Sequence, residues 1–227
     1  MMRTLISFIL MLWLKLLAKC FYTLKLEWIG PIKNDFSQIR LIIFLNHTSL
    51  YEPIYADAAP VSFLYQMAKK MVAPAADVTM NRPLVGLFFK LLGPKFVPIT
   101  RKRDKTWFHF LKLIKERHII LILPEGRMMR GNGLDKHGKP MDVRSGVAEI
   151  LEQMDDGRVM IAYSGGLHHV QHPGQFFPRV FKKIAMNIEI MEISAYKNQF
   201  EQTTGIPFRK AVVADLNHRL KTNCPKL

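Results

Sequence analysis

Cysteine is nearly missing from this 227-residue chain: Cys20 and Cys224 stand near opposite ends, one in an apolar stretch and one in a polar tail. That spacing offers neither a disulfide framework nor a thiol metal site, and it makes a reducing, cytoplasmic compartment the default. Acidic residues are scarce as well, 18 Asp and Glu against 33 Lys and Arg, which leaves a formal net charge of +15 and a pI near 9.9. So large an excess calls for a polyanionic partner: nucleic acid, an anionic membrane surface or an acidic carrier protein. There is no internal repeat, low-complexity tract or linker that would justify a second folded domain. What is present is ample apolar material, 49% of residues, enough to bury one core in a chain of this length.

The amino-terminal residues narrow the choice of partner. Leu5 to Leu14 carry no charge, and the apolar character runs on through Leu16, Leu17, Ala18, Phe21 and Tyr22, interrupted by Lys15 and Lys19. A bilayer span needs about 20 apolar residues, and this stretch reaches that length only by accepting both lysines. The lysines lie one helical turn apart, so the segment reads as an interfacial or re-entrant helix over residues 1–25 with its lysines at the head groups; a true span, and after it a signal peptide or a buried core helix, are the alternatives. No small-x-small cleavage site follows the apolar stretch, which argues against a removed signal peptide.

Beyond it, apolar runs alternate with helical patterns. Strands are predicted at Arg40 to Leu45, Val61 to Tyr65, Lys95 to Ile99, Ile119 to Leu123, Val159 to Tyr163 and Ile184 to Ile193. Helices are predicted at Ile54 to Ala58, Pro83 to Leu92, Asp104 to Arg117, Val143 to Gln153 and Phe208 to Leu220, with Pro74 to Asn81 a loop. Continuous apolar strands between helices are what a parallel sheet covered on both faces requires. The expected architecture is therefore one α/β domain over residues 26–227, a mostly parallel central sheet flanked by helices, preceded by the membrane-interface helix.

Two motifs about eighty residues apart carry the chemistry, each after an apolar run. In Asn46-His47-Thr48-Ser49-Leu50-Tyr51-Glu52-Pro53, His47 and Glu52 are five residues apart. On a straight helix such residues diverge, so they meet only across a turn, which Pro53 favours. A carboxylate on one imidazole nitrogen would leave the other free to take a proton from a hydroxyl. In Leu123-Pro124-Glu125-Gly126-Arg127 an acid, a glycine and an arginine stand at another strand end, suited to an anionic group. Between Lys95 and Lys139 there are twelve bases against four acids. Arg101, Arg103, Arg127 and Arg130 fall at the ends of two predicted strands, where open α/β sheets place ligands. His168, His169 and His172, flanked by Gly165-Gly166 and Pro173-Gly174, read as a loop rather than a metal site, and no metal is expected. Gly131-Asn132-Gly133 lacks the spacing of a phosphate loop and reads as a flexible turn or flap beside the site. No aromatic-basic interleaving supports nucleic acid as the partner.

In order, His47 to Glu52, Lys95 to Arg101, Pro124 to Arg127 and the strand at Val159 to Tyr163 resemble the four successive blocks of the glycerolipid acyltransferases typified by 1-acylglycerol-3-phosphate acyltransferase. The resemblance spans residues 40 to 195. Glu52 stands where the family has aspartate, Arg127 follows Gly126 directly instead of one residue later, and the fourth block lacks its proline. Either Arg127 or Arg130 could take the place of the displaced arginine.

The resemblance implies a membrane-associated O-acyltransferase at the cytoplasmic face of the inner membrane. It would move a fatty acyl chain from acyl-CoA or acyl-carrier protein to the hydroxyl of a lysophosphatidate-like lysophospholipid. The catalytic pair would be His47 and Glu52, with His47 the general base. Arg101, Arg103, Arg127 and Arg130 would hold the anionic group, and Glu125 and Gly126 would shape that pocket. The thioester is a co-substrate, and no separate cofactor is implied. Pro83 to Leu92 could help line an acyl groove. Alternatives are a CoA-independent phospholipid transacylase and a non-catalytic lipid-binding or membrane-remodelling protein of the same fold.

Overall fold

The computed structural model describes all residues except 101–102, 115, 131, 173–174, 176 and 202–205, and the side chain of Glu201. The chain runs α1 (Met2–Phe21), β1 (Tyr22–Ile29), β2 (Ile39–Leu45), a 3-10 helix (Glu52–Ala58), α2 (Val61–Lys70), β3 (Met71–Ala76), α3 (Asp77–Met80), α4 (Pro83–Leu92) and β4 (Lys95–Ile99). It continues through α5 (Lys105–Ile114), β5 (Ile119–Ile122), α6 (Gly146–Glu152), β6 (Arg158–Gly165), α7 (Leu167–Val170), β7 (Lys182–Glu192), α8 (Ile193–Glu201) and α9 (Phe208–Asn223). The strands form one seven-stranded sheet in the order β1-β7-β6-β2-β5-β3-β4. Every neighbouring pair is parallel except β6 and β7. The expected α/β architecture with a mostly parallel sheet is therefore the one found.

β2 sits at the centre and explains why its sequence is apolar at every inner position. Leu41, Ile43 and Leu45 face one core with Phe110, Val147, Ile150, Tyr196 and Val212 from the helices; Ile42 and Phe44 face the other with Ile54, Tyr55, Phe63 and Ala18. Each such side chain contributes about 1.5–3 kcal/mol when buried, so a strand covered on both faces has no room for a polar position.

α1 lies across this second face. Buried Ser7 donates its hydroxyl to the carbonyl of Leu92 at 2.5 Å, beside edge strand β4, while the other end of α1 passes directly into edge strand β1. A 20-residue helix is about 30 Å long, and seven strands about 4.8 Å apart are about 29 Å wide, so α1 matches the width of the sheet. Lys15 fixes it near the middle, donating to the carbonyls of Asp57 and Ala59 at 2.6 and 2.8 Å and pairing with the Asp57 carboxylate at 3.6 Å. Burial removes charge-stabilising water from this ammonium, and with the neighbouring Lys19 charge it lowers the pKa despite Asp57.

Several local expectations are corrected. Val61 to Tyr65 is not a strand but the start of α2, because Phe63, Leu64, Met67 and Ala68 recur at helical spacing and turn one stripe inward. The predicted loop from Pro74 onward begins as strand β3. Its proline is tolerated because β5 pairs only with Met71 and Val72, so no donor is required on that side of Pro74. The apolar amino-terminal stretch ends at Phe21, and Tyr22 to Ile29 alternate as an edge strand on β7. His168 and His169 lie in the short helix α7 rather than a loop, and α8, unforeseen in the sequence, follows β7 directly.

Candidate active site

The site is built where β2, β5 and β6 end together. Asn46, the first residue past β2, takes φ 71, a left-handed conformation that asparagine accepts more readily than most residues. It is clipped to β6 from both sides: its Nδ2 donates to the carbonyl of Ser164 at 2.7 Å, and Ser164 Oγ donates to the Asn46 carbonyl at 2.9 Å. The chain then turns so that Glu52, opening the 3-10 helix with Pro53 behind it, swings back toward the histidine. Glu52 Oε1 lies 2.8 Å from His47 Nδ1 and accepts the backbone N–H of Ser49 at 3.1 Å. Both side chains are mostly shielded, at 14% and 12% exposure. A carboxylate on Nδ1 assigns the proton to that nitrogen and leaves Nε2 unprotonated in the neutral ring.

Glu125 serves this corner differently from a simple pocket wall. It is buried at 2% exposure, and its Oε1 accepts the backbone N–H groups of Asn46 at 2.6 Å and His47 at 3.4 Å. The His47 carbonyl in turn accepts the N–H of Met129 at 2.8 Å, so both polar backbone groups of the histidine are held by the segment after β5. Burial disfavours the charged imidazolium, but the carboxylates of Glu52 and Glu125 outweigh it and hold the His47 pKa above its ordinary 6.5. Burial likewise pushes the Glu125 carboxyl upward, against the pull of His47 and the two N–H groups.

The arginines divide among different partners. Arg127 Nη1 donates to buried Asp135, whose Oδ1 accepts the N–H groups of His137 and Lys139 at 2.7 and 3.0 Å. The pair thus fastens the loop that follows Gly126. Arg103 pairs with buried Glu149 and donates to Ser145 Oγ at 2.8 Å. Arg130 is exposed on the turn of the loop, and Arg101 lies outside the described residues, as does Gly131 of the expected flap. Gly126, at φ +65, turns the chain beside Arg144, which donates Nε to the Glu125 carbonyl at 3.2 Å. Among the described residues, Glu125 Oε2, Arg127 Nε and Thr48 Oγ1 are buried side-chain atoms in this region without a hydrogen-bond partner.

Two cavities meet here. One, of about 320 Å³, has His47, Glu52 and Arg127 at its polar end and continues between the sheet and the helices past Phe44, Ala162, Met67, Phe89, Leu92 and Met11. The other, of about 350 Å³, lies toward α5 and α6 and is lined by Thr100, Arg103, Trp107, Arg144 and Ser145. Pro74, Ala76, Leu123 and Gly126 border both. A shielded histidine with an oriented base nitrogen thus stands at the mouth of an apolar pocket, next to a pocket carrying two guanidinium groups. Among the described residues no group of three or more His, Cys, Asp or Glu is placed to hold a metal ion.

A sequence profile of the acyltransferase family matches residues 31–164, more than half of the chain and all of the site described above up to Ser164. The chain belongs to the acyltransferase family. The acyltransferase is similar in fold to the crystal structure of the 1-acyl-sn-glycerophosphate (LPA) acyltransferase PlsC from Thermotoga maritima, with a TM-score of 0.54 and 15% sequence identity. That likeness covers 93% of this chain and 80% of the other. No curated protein matches the chain in sequence.

The sequence motifs give no role to Asn46 and do not include Ser164, Asp135 or Arg144, which the fold of this acyltransferase brings to the site. Asn46 had a visible signal, an asparagine immediately after an apolar strand, where a left-handed turn is needed. Asp135 and Arg144 are separated from Glu125 by a polar loop whose path no local pattern specifies.

Proposed function

We propose that this acyltransferase moves a fatty acyl chain from a thioester, acyl-CoA or acyl-carrier protein, to the hydroxyl of a lysophosphatidate-like lysophospholipid at a membrane surface. The observation that carries the reading is the 2.8 Å contact between His47 Nδ1 and Glu52 at the mouth of the apolar cavity. His47 Nε2 takes the proton of the acceptor hydroxyl as its oxygen attacks the thioester carbonyl carbon. The tetrahedral adduct collapses by breaking the carbon–sulfur bond, and the imidazolium returns its proton to the departing thiolate. Glu52 keeps Nδ1 protonated and stabilises the positive ring between these steps. The products are the acylated lipid and the free thiol.

The cavity past Ala162 and Met67 suits the acyl chain: about 300–1,000 Å³ is usual for a ligand pocket, and its wall is apolar beyond the catalytic pair. Phe89 and Leu92 bring α4, the helix predicted at Pro83 to Leu92, into that wall. The acceptor phosphate is assigned to Arg144 beside Gly126, whose partner is a neutral carbonyl, because Arg127 is engaged by Asp135 and Arg103 by Glu149; Arg103, Arg130 and Arg101 stand as further candidates. Similarity to a lysophosphatidate acyltransferase favours this acceptor class.

Membrane association is supported by α1, which is long and apolar enough to cross a bilayer but is held along the domain by Ser7 and Lys15. Its outer side exposes Leu5, Ile6, Ile9, Trp13, Leu16 and Leu17, and neighbouring α4 exposes Leu84, Leu87 and Leu91. An apolar face of this extent fits a lipid interface, with the helix lying in the cytoplasmic leaflet of the inner membrane. No nucleic-acid role is proposed. Purified protein with labelled acyl-CoA or acyl-carrier protein and lysophosphatidate should yield diacylated product, and His47→Ala should yield none. Equal product from both would sink the assignment, and product from phospholipid donors without thioester would redirect it to transacylation.

A further inference from the structure

The connection from β6 to β7 ends in three large apolar side chains that point into solvent: Phe177 is 73% exposed, Val180 41% and Phe181 75%. Arg179, Lys182 and Lys183 stand among them, all exposed. The segment is held in place rather than loosely draped. Arg179 N–H donates to the Val170 carbonyl and Phe181 N–H to the Phe21 carbonyl, both at 2.7 Å. Phe181 also takes φ 58, a left-handed backbone that costs a bulky residue energy and is maintained only where the surroundings impose it.

The position gives these side chains a direction. The Phe181 ring lies 5.8 Å from the ring of Phe21, the last residue of α1, so the ridge extends the exposed apolar face of that helix. β6 runs parallel to β2, and β7 starts opposite the end of β6, so the ridge is at the same end of the sheet as His47. Gln171 of the same connection accepts the Ser49 hydroxyl at 2.8 Å, within the catalytic turn. Among the described residues none of Lys19, Arg179, Lys182 and Lys183 makes an ion pair, whereas nearby Lys25 is paired with Glu27 at 2.7 Å. Aromatic rings flanked by uncompensated bases match the boundary of an anionic bilayer, where rings enter the interface and cations meet phosphate.

We propose that Phe177 to Lys183 forms a second membrane contact, selective for anionic lipid, which turns the catalytic end of the sheet toward the bilayer. This rests on the reading of α1 as a membrane-docking helix. The test is flotation of the full chain with phosphatidylcholine vesicles and with phosphatidylcholine vesicles containing phosphatidylglycerol. Lys182→Ala/Lys183→Ala is expected to weaken partition onto the phosphatidylglycerol vesicles on the order of tenfold and to leave partition onto neutral ones unchanged. Phe177→Ser/Phe181→Ser is expected to weaken both. Phe177→Trp in a Trp13→Phe background, in contact with vesicles, is expected to be quenched by brominated acyl chains beyond the quenching of Trp13→Phe alone. Wild-type partition by both loop variants, or an unquenched tryptophan, overturns the loop proposal while leaving α1 docking intact. Failure of the wild-type protein to float with either vesicle overturns both. Loop variants that lose binding to acyl-carrier protein but float normally would give the patch to a protein partner instead, against this proposal.

Discussion

The carboxylate of Glu125 and the backbone N–H of Asn46 are 2.6 Å apart, so the acid at the end of β5 holds the turn that carries His47 at the end of β2. Position and proton affinity of His47 are thereby set from two directions: Glu52 on the ring and Glu125 on the backbone. Four expectations follow from this arrangement and its surroundings.

Glu52→Gln keeps the size of the side chain but removes its charge. The acyltransferase should lose on the order of 10²–10⁴-fold in kcat, the scale of general-base catalysis. His47 must be neutral to accept a proton, so activity falls as pH drops through its pKa. Wild-type enzyme should show that acidic limb above 6.5, and Glu52→Gln should move it to lower pH because the carboxylate raises the pKa. A pH–rate profile with an unmoved limb would separate His47 from Glu52.

Asn46 contributes both a left-handed backbone and a side-chain clip to β6. Asn46→Ala should destabilise the fold by about 1–2 kcal/mol through backbone strain alone, with further loss from the missing hydrogen bond. Asn46→Gly removes the bond but accepts the conformation, so urea unfolding should place it between Asn46→Ala and wild type.

Arg144→Ala should raise the KM for lysophosphatidate about 10–100-fold, the effect of losing a charge-assisted contact worth about 1.5–3 kcal/mol, and leave kcat for a neutral acceptor nearly unchanged. Arg127→Ala should act differently, because its partner is Asp135: the loop after Gly126 should become more susceptible to proteolysis, and activity on all acceptors should fall together. Steady-state kinetics on charged and neutral acceptors separates the two arginines.

Ala162 faces the apolar cavity from β6, buried at 1% exposure. Ala162→Phe should fill part of the space past the catalytic pair and shift donor preference toward shorter acyl chains. Competition between long and short acyl-CoA substrates measures this; an unchanged preference would place the chain elsewhere.

How much of this could be read from the sequence varied with the range of the interactions involved. β2 and β5 were plain because a strand buried on both faces must be apolar throughout, and the His47–Glu52 pair because Pro53 enforces the turn between them. Val61 to Tyr65 misled because five residues cannot separate a strand from a helix; the stripe that decides it extends to Ala68. Pro74 concealed a strand since tolerance for proline depends on which neighbour pairs with it, a matter of sheet order. Arg127 was legible as a cation near the site, yet its engagement depends on Asp135 eight residues on, returned by a loop without periodicity.

The match between α1 and the breadth of the sheet has a practical side. Met11 and Leu14 of that helix line the apolar cavity and Ala18 joins the second core, so deleting it to obtain a soluble fragment would bare the floor of that cavity and invite aggregation. A soluble form is better sought by exchanging the outward residues Trp13, Leu16 and Leu17 for polar ones, which leaves the inner stripe to finish the fold.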